Sequence, residues 1–328
     1  MSFIVSAPTN LADPRLGARV VHATDDFFAD KSRLISPDEP VFVPGKYDAN
    51  GKWMDGWESR RKRGPGHDAC IVKLARPGVI EEALVDTRHF TGNFPPAASL
   101  EACVSEADVP PDDAVWTALT GTFALDGDSE RVVTVGAAGV FTHVRLNIFP
   151  DGGVARLRVH GRVRAPLTPF EGRDLADLAA AENGGRAVVA NDAHFGSLAN
   201  IILPGRGVNM GDGWETRRRR EPGHDWAILE LGAPGMVAEI IVDTAHFKGN
   251  YPDRCSLQGA GEGPEDPFRL AAASTGWPVL LPEQKLEMDR AHVFTSAVRA
   301  VGPVRFVRLN ILPDGGVSRL RVLGRATG

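Results

Sequence analysis

The chain has 328 residues, of which 43% are hydrophobic and 24% are charged, and its formal net charge is −5. This size fits one large or two ordinary globular domains, and the weak acidity gives no general reason to expect nucleic acid or an anionic membrane as a partner. No apolar run approaches the ~20 residues of a membrane span, and residues 1–10 lack the features of a signal peptide. We therefore expect a cytoplasmic protein.

Three sequence blocks occur twice, in the same order. DGWESRRKRGPGHD at 55–68 returns as DGWETRRRREPGHD at 212–225, with 11 of 14 positions identical. VDTRHFTGNFP at 85–95 returns as VDTAHFKGNYP at 242–252, and VRLNIFPDGGVARLRVHGR at 144–162 returns as VRLNILPDGGVSRLRVLGR at 307–325. Repeats of this length predict a duplicated domain in which each copy closes its own core.

The spacing between the blocks differs in the two copies. The offset is 157 residues for the first two blocks and 163 for the third, so the second copy has six extra residues between them. Upstream, RVVHATDDFF at 19–28 loosely matches RAVVANDAHF at 186–195, which leaves ten extra residues in the first copy around 37–51. We predict domains at 1–166 and 167–328.

The predicted elements are mostly short strands. In the first copy these are 69–75 and 79–86, joined by a turn at Pro77-Gly78, and then 140–148 and 154–159, separated by the turn sequence PDGG. In V-A-R-L-R-V, apolar and basic residues alternate, which is typical of a half-exposed strand. The second copy repeats the pattern at 226–232, 236–243, 306–311 and 317–322. Between the copies, 174–182 contains good helix formers before Gly184-Gly185, which predicts a linker helix. The whole pattern predicts an all-β protein of sandwich type.

The paired blocks resemble the repeats of the allantoicase family, from about Arg19 to Arg325. This resemblance implies two tandem jelly-roll β-sandwich domains of the galactose-binding-domain-like kind. It also implies hydrolysis of allantoate to ureidoglycolate and urea in purine breakdown, and a homo-oligomer.

The reaction defines which residues are candidates. Allantoate has a central carbon that bears a carboxylate and two ureido groups, so its hydrolysis is helped by a general acid for the departing urea, a general base for water and a cation for the carboxylate. An arginine fork binds a carboxylate through two hydrogen bonds, and histidine transfers protons near neutral pH. The catalytic candidates are Glu58, His67, His89 and their copies Glu215, His224 and His246. The substrate-binding candidates are Arg60, Arg61, Arg63, Arg145 and Asn147, with their copies Arg217, Arg218, Arg220, Arg308 and Asn310.

Each candidate has a structural alternative. A single arginine of the run is more often part of a solvated charged face or an inter-subunit salt-bridge cluster. Glu58 and Glu215 directly precede the run and could form a structural ion pair with it. Arg145 and Asn147, which share one strand face, could serve cross-strand pairing. His67 could simply hold a loop, and Asp86 could either orient His89 or hold a turn. Trp57 and Trp214 are expected to anchor loops or the core.

The predicted strands 69–75 and 79–86 place these candidates together. If they are adjacent and antiparallel, their outer ends meet at one rim of the sheet, so His67 and His89 become close neighbours. Residue types that bind metals occur here, at His67, Asp68, Asp86 and His89. No HxH or HExxH spacing specifies a metal, so the sequence does not decide whether a divalent ion is bound.

Two other functions fit a β-sandwich. One is a non-catalytic module that binds carbohydrate or a small anion, and the other is a metal-dependent hydrolase of a different ureide or amidine. Sugar sites usually expose aromatic rings, whereas the repeated blocks are rich in Arg, Glu, His and Asp and aromatic residues make up 7% of the chain. The blocks therefore favour a small anionic substrate. The three cysteines, Cys70, Cys103 and Cys255, lie far apart and are expected to be reduced thiols.

Overall fold

A computed structural model describes residues 3–327, and these residues form an all-β protein with one short α-helix, α1 (Pro267–Ala273). The strands up to the end of the first repeat are β1 (Ile4–Val5), β2 (Thr9–Asn10), β3 (Arg19–Ala23), β4 (Tyr47–Asp48), β5 (Gly51–Lys52), β6 (Trp57–Glu58), β7 (Asp68–Asp86), β8 (Ala97–Cys103), β9 (Thr117–Ala118), β10 (Phe123–Ala124), β11 (Glu130–Thr134), β12 (Phe141–Phe149), β13 (Gly153–Val154) and β14 (Arg156–Val163). Those that follow are β15 (Ala176–Asp177), β16 (Arg186–Ala190), β17 (Trp214–Glu215), β18 (Asp225–Asp243), β19 (Arg254–Ala260), β20 (Val279–Lys285), β21 (Ala291–Phe294), β22 (Val304–Leu312), β23 (Gly316–Val317) and β24 (Arg319–Ala326). No helix of the described residues is long and apolar enough to cross a membrane.

Contacts divide the chain into two compact units. One unit is Asn10–Ala165, and the other combines the described residues before Asn10 with those after Ala165. The N-terminal segment joins the second unit because β1 pairs with β16, where Ile4 faces Ala190. Each unit contains one copy of the three sequence blocks.

A single long strand organises each unit. In the first, β7 pairs along its early half with β12, from Asp68 opposite Ile148 to Lys73 opposite His143. Along its later half it pairs with β14, from Asp86 opposite Arg156. In the second unit β18 pairs in the same way with β22 and β24.

The predicted turn at Pro77-Gly78 is therefore wrong. The chain stays extended through this dipeptide, and the two predicted strands are the halves of β7. They do not pair with each other, because each half has its own partners, β12 and β14, which both meet β7 at Gly78. A Cβ at Gly78 would lie 2.8 Å from the Arg162 carbonyl oxygen, so only glycine lets the strands approach this closely. The equivalent prediction for 226–232 and 236–243 is corrected by β18.

The core lies between the inward faces of these strands. In the first unit Val72 of β7, Leu100 of β8, Leu146 of β12 and Leu157 of β14 are fully buried in one hydrophobic cluster. Each belongs to a strand in which inward apolar residues alternate with outward polar ones, as a sandwich requires. The three cysteines are free and buried, and burial raises the pKa of the Cys255 thiol to about 12.

The first basic residue of β14 and of β24 is buried rather than half-exposed, whereas Arg158 is partly exposed as predicted. Arg156 is buried, and its guanidinium donates to the carbonyl oxygens of Asp38 and Asp55 and to the Asp55 carboxylate, at 2.7 to 3.0 Å. Arg319 is buried in the same way against Asp212. Loops cover these two side chains, and backbone carbonyl oxygens accept hydrogen bonds from both guanidinium groups.

The predicted linker helix at 174–182 is absent from the structure. The segment instead forms β15 against β24, followed by a 3-10 turn at Ala181–Asn183 that ends at Gly184 with φ 90°. Asp177 explains the difference, because its buried carboxylate accepts hydrogen bonds from the backbone N–H groups of Ala179 and Val322. The bond to Ala179 competes with helix formation, and the bond to Val322 fixes the segment to β24.

Candidate active site

Both ends of β7 reach one rim of the first unit, although the strand is continuous. The Pro150 carbonyl accepts a hydrogen bond from the Asp68 N–H at one end, and the Ala155 N–H donates to the Asp86 carbonyl at the other. Only four residues lie between Pro150 and Ala155, which limits the distance between the Cα atoms of these two residues to about 18 Å. The PDGG segment therefore bridges the rim and brings the repeated blocks together.

The motif glycines and the Phe of DTxHF fix this rim. Phe90 is fully buried, and its ring lies where a Cβ on Gly153 would be 2.0 Å from it. A Cβ on Gly56 would lie 2.5 Å from the Val154 carbonyl oxygen. The second unit repeats the arrangement around Phe247, Gly213 and Gly316. Close packing requires glycine at these positions. The DGW, HF and DGG motifs therefore stabilise the rim of the fold as well as placing the candidate site residues.

The arginine run is held at the rim by its neighbours. The Lys62 N–H donates to the Asp151 carboxylate at 2.7 Å, and its ammonium pairs with buried Asp68 at 2.8 Å. Arg60 donates to the Asp25 carboxylate at 2.7 Å. Arg61 lies between these two anchored residues, is exposed and lines a cavity. The Arg61 guanidinium thus faces the cavity, while the contacts of Arg60 and Lys62 fix the backbone on both sides of it.

Two adjoining cavities meet at Glu58, and we call them together the rim cleft. One, of about 400 Å³, is lined by Lys52, Met54, His89 and Thr91. The other, of about 450 Å³, is lined by Ser59, Arg61, Lys62, Phe94, Pro96, Pro150, Asp151 and Gly152. Both share Phe28, Glu58, Gly92 and Asn93. The cleft has the size and the mixed polar lining of a small-molecule site.

Glu58 has the electrostatics of a proton donor. Its side chain is buried, and burial raises the pKa of its carboxyl group, while the hydrogen bond from Asn93 Nδ2 at 2.6 Å and the charge of Lys52 partly oppose the shift. A carboxyl group that keeps its proton to higher pH can donate it to a leaving group.

His89 faces the same cleft with a defined tautomer. Its Nε2 lies 3.1 Å from the Pro40 carbonyl oxygen, which can only accept, so Nε2 carries the proton and Nδ1 is the basic nitrogen. The residue adopts φ 70°, and its N–H donates to the Asp128 carboxylate at 2.8 Å. Asp86 does not orient the imidazole, because its carboxylate accepts from the Arg88 N–H and so holds the turn.

His67 lies in a separate cluster on the outer face of β12. Its Nε2 is 3.3 Å from Asn147 Oδ1, and Asn147 in turn donates to Glu101 at 2.8 Å. Arg145 pairs with Glu101 across the strands at 2.6 Å and stacks over Trp116. The cross-strand alternative for Arg145 is therefore what the structure shows. His67 lines neither cavity of the rim cleft, whereas His89 lines one of them, and the adjacency of the two imidazoles stays a prediction.

The second repeat keeps most of these contacts. Glu215 accepts a hydrogen bond from Asn250, and His246 Nε2 lies 2.6 Å from the Gly207 carbonyl oxygen. Arg219 pairs with Asp225, as Lys62 does with Asp68. Arg217 contacts His194, and Arg218 and Arg220 are exposed, as Arg63 is in the first repeat. The copy of the outer cluster differs, because Gln258 stands where the first repeat has Glu101.

This substitution leaves Arg308 without the carboxylate that its counterpart has. Arg308 is buried, donates to Asn310 Oδ1 at 2.8 Å and to Ser274 Oγ at 2.7 Å, and lies over Trp226. Its burial lowers the pKa of the guanidinium to about 10. Asn310 also meets His224 Nε2 at 3.2 Å, so the outer cluster recurs with a neutral partner set.

The two aspartates that could bind a metal at this rim form ion pairs instead. Asp68 pairs with Lys62 and Asp86 with Arg88, and no group of three or more His, Cys, Asp or Glu side chains in residues 3–327 is arranged to hold a metal ion. Trp57 and Trp214 are loop anchors as predicted, since each indole N–H donates to the carbonyl oxygen of an aspartate, Asp25 or Asp192.

Comparison with known proteins gives the origin of the two-fold pattern. The family model described as allantoicase repeat matches residues 9–164 and again 176–327. The chain belongs to the allantoicase family. A probable allantoicase 2 of Burkholderia pseudomallei is 57% identical over 96% of this chain and 94% of its own length, and a probable allantoicase of Ralstonia nicotianae is 54% identical over 96% and 94%.

Solved structures agree with this assignment. The crystal structure of allantoicase from Saccharomyces cerevisiae superposes with a TM-score of 0.83 at 35% identity, covering 97% of this chain and 93% of that chain. A second allantoicase structure gives 0.83 at 34% identity, over 99% and 100%. The fold is therefore two tandem jelly-roll β-sandwich repeats of the galactose-binding-domain-like kind, as the resemblance implied.

Sequence reasoning did not single out Asn93, Asp151 or Lys52, which also line the rim cleft. Asn93 lies in the repeated HFxGN motif, and Asp151 lies in PDGG, so a repeat-by-repeat comparison already contained both. Lys52 has no counterpart in a shared block, and only the structure places it beside Glu58.

Proposed function

We propose that this member of the allantoicase family hydrolyses allantoate to ureidoglycolate and urea, as a step in purine degradation, and that the rim cleft is its active site. The observation that carries the site is the buried carboxyl group of Glu58, which lies between a cavity that holds Arg61 and a cavity that holds His89. The substrate is a small molecule, and we further propose a cytoplasmic homo-oligomer.

The rim cleft supplies the groups that the reaction needs. Arg61 binds the substrate carboxylate through its fork, and the Asn93 amide, which is fixed by Glu58, offers its oxygen to a ureido N–H. Glu58 donates its proton to the ureido nitrogen that departs. His89 Nδ1 accepts a proton from the water that attacks the central carbon.

The bond changes balance without a covalent enzyme intermediate. The C–N bond to one ureido group breaks as the nitrogen takes the Glu58 proton, and urea leaves. The oxygen of water bonds to the central carbon, and its proton passes to His89 and then restores Glu58 through solvent. The second ureido nitrogen assists by donating its lone pair to the carbon.

The remaining predicted residues are proposed in supporting or alternative roles. Glu215, Arg218 and His246 form the equivalent set in the second repeat. His67 and His224 remain alternative proton carriers, since Asn147 and Asn310 occupy Nε2 of each ring and leave Nδ1 for a substrate. Arg60 and Arg217 position their loops, whereas Arg145 and Arg308 belong to the outer cluster.

A direct assay tests the function. Purified protein is incubated with allantoate or with allantoin, with and without a chelator, and urea is measured. We expect urea from allantoate and little from allantoin, which is a closed ring without a free carboxylate. Equal turnover of the two compounds would contradict the proposal that Arg61 clamps the substrate carboxylate, and activity that a chelator abolishes would favour a metal-dependent hydrolase.

The clamp itself is tested by Arg61→Lys and Arg218→Lys, alone and together. Lysine keeps the charge but loses the two-point hydrogen bond, so KM for allantoate should rise roughly 10-fold or more in the repeat that works. Arg63→Lys, an exposed neighbour outside both cavities, is the control and should leave KM unchanged. An unchanged KM in the Arg61 and Arg218 double variant would remove the clamp from these residues.

A further inference from the structure

The two repeats differ in what lies over the rim cleft. The extra residues of the first repeat include the hairpin β4–β5, Tyr47–Asp48 with Gly51–Lys52. Within the described residues the equivalent stretch before Trp214 contains no strand pair, only a 3-10 turn at Met210–Asp212. An element that occurs over one copy of a duplicated site gives that copy contacts that the other lacks.

The hairpin ends at a cation beside the buried carboxyl group. Lys52 lines the same cavity as Glu58 and His89. Its ammonium lies 4.6 Å from the centre of the Phe42 ring, and that ring stacks on His89 at 6.1 Å. Within the described residues no carboxylate pairs with Lys52, so its charge is available to a ligand in the cleft.

The second repeat has no such cation at the matching position. Asn209 aligns with Lys52, three residues before the shared DGWE motif. The Asn209 side chain accepts a hydrogen bond from the Asp212 N–H at 3.2 Å, so it caps the turn of its own loop.

We propose that Lys52 is a substrate-contacting residue that binds the carbonyl oxygen of the departing ureido group, which makes the first repeat the more active of the two. This inference rests on the proposed function, because it assigns the ligand of the same cleft. Arg61 lines the other cavity that contains Glu58, so each of the two cavities has one cation and shares that carboxyl group. Allantoate carries its carboxylate and its ureido arms on one carbon, so one cation is available for each kind of group.

The Lys52 ammonium is expected to stabilise the transition state. As the C–N bond breaks with partial proton transfer, electron density grows on the ureido group, and a fixed cation at its oxygen stabilises that charge more than it stabilises the ground state. Loss of Lys52 should therefore lower kcat as well as raise KM.

The hairpin offers a matched control. Lys46 lies on the same segment, and its ammonium stacks 3.6 Å from the centre of the Trp53 ring, but it lines neither cavity of the rim cleft. Lys52→Met and Lys46→Met remove the same charge from the same hairpin and keep the aliphatic stem. Both are made in a chain that also carries Glu215→Gln, so that the carboxyl group of the second repeat does not contribute.

Urea release from allantoate is measured for each chain across pH. We expect Lys52→Met to lower kcat/KM roughly 10- to 100-fold, with most of the loss in kcat, while Lys46→Met retains the activity of its parent. Lys52 also lowers the pKa of Glu58, so its removal should move the limb of the pH–rate profile that reports Glu58 to higher pH.

The outcomes separate the two proposals. If the unmodified protein releases no urea from allantoate, the proposed function fails. If it does but Lys52→Met behaves like Lys46→Met, whether both are active or both are impaired, the assignment of Lys52 is overturned. An inactive Glu215→Gln parent would overturn the claim that the first repeat is the more active one.

Discussion

At the scale of single residues, protonation of Glu58 sets the expected pH behaviour. Burial raises the pKa of this carboxyl group, so the acid form persists above the usual range for glutamate, around 4.3. A general acid works only while it holds its proton. Activity should therefore fall as pH rises through the Glu58 pKa, and that limb should lie above the ordinary value.

Replacement of Glu58 by Gln tests this assignment. Gln keeps the hydrogen-bonding shape but has no proton to transfer, so kcat should fall roughly 10²-fold and the limb should disappear from the pH–rate profile. Glu215→Gln is the matched variant in the second repeat, and if the repeats are unequal as proposed it should have the smaller effect. A Glu58→Gln protein with near-normal kcat and an unchanged profile would exclude Glu58 as the acid.

Residue types and spacing identified part of the candidate site. Glu58, Arg61 and His89 all come from repeated blocks and all line the rim cleft. The placement of His67 was not predictable in the same way. It precedes β7 as expected, but which face its ring meets depends on Asn147, a residue that is close only in the folded sheet.

At the scale of elements, local signals located the strands but not their continuity. The Pro77-Gly78 dipeptide normally marks a turn, yet here it lies within β7, because the two halves of the strand pair with different neighbours. A bend inside one strand and a turn between two strands use the same residues. Only the long-range partners decide between them.

The packing of the rim makes a strong prediction for Gly153. A Cβ at this position would lie 2.0 Å from the Phe90 ring, which is itself fully buried and cannot move without displacing the core. Gly153→Ala should lower the free energy of unfolding by roughly 1–3 kcal/mol or more, measured by urea denaturation. Gly64→Ala is the control, since open space surrounds that position within 4 Å. Equal stability of the two variants would show that Phe90 repacks freely.

Buried Asp177 predicts a pH-dependent stability of the second unit. Burial raises its pKa from 3.8 to about 6, and only the charge of Arg321 and two backbone N–H groups oppose this. Since the folded state holds the proton more tightly, the contribution of Asp177 to stability is fully present below pH 4 and is lost as pH rises through 6. The change is on the order of 2–3 kcal/mol.

The first repeat supplies the control for this prediction. Asn10 stands at the equivalent position and accepts hydrogen bonds from the backbone N–H groups of Ala12 and Val159, as Asp177 does from Ala179 and Val322. Asp177→Asn should therefore flatten the dependence of the urea midpoint on pH between 4 and 6. Asn10→Asp should introduce the same dependence. Parallel pH curves for Asp177→Asn and the unmodified protein would refute the assignment.

At the scale of the whole molecule, duplication was the most reliable prediction from the sequence. The three repeated blocks predicted two β-sandwich copies, and the family repeat matches both halves. The pairing of β1 with β16 was not predictable, because nothing in Ile4–Val5 indicates which copy it joins. The domain limits 1–166 and 167–328 stay a prediction from the sequence.

The short bridge at 150–155 has a consequence for how this protein evolved. Because it brings both ends of one strand to one rim, the Glu58, His89 and Asp151 groups assemble within a single copy. Duplication of that unit gives each copy its own version of these groups, with Glu215, His246 and Asp314 in the second copy. The two copies differ at Lys52, where the second has Asn209, and at Glu101, where the second has Gln258. A relative in which the second copy has lost further cleft residues, while the first keeps them, would be the natural continuation of that history.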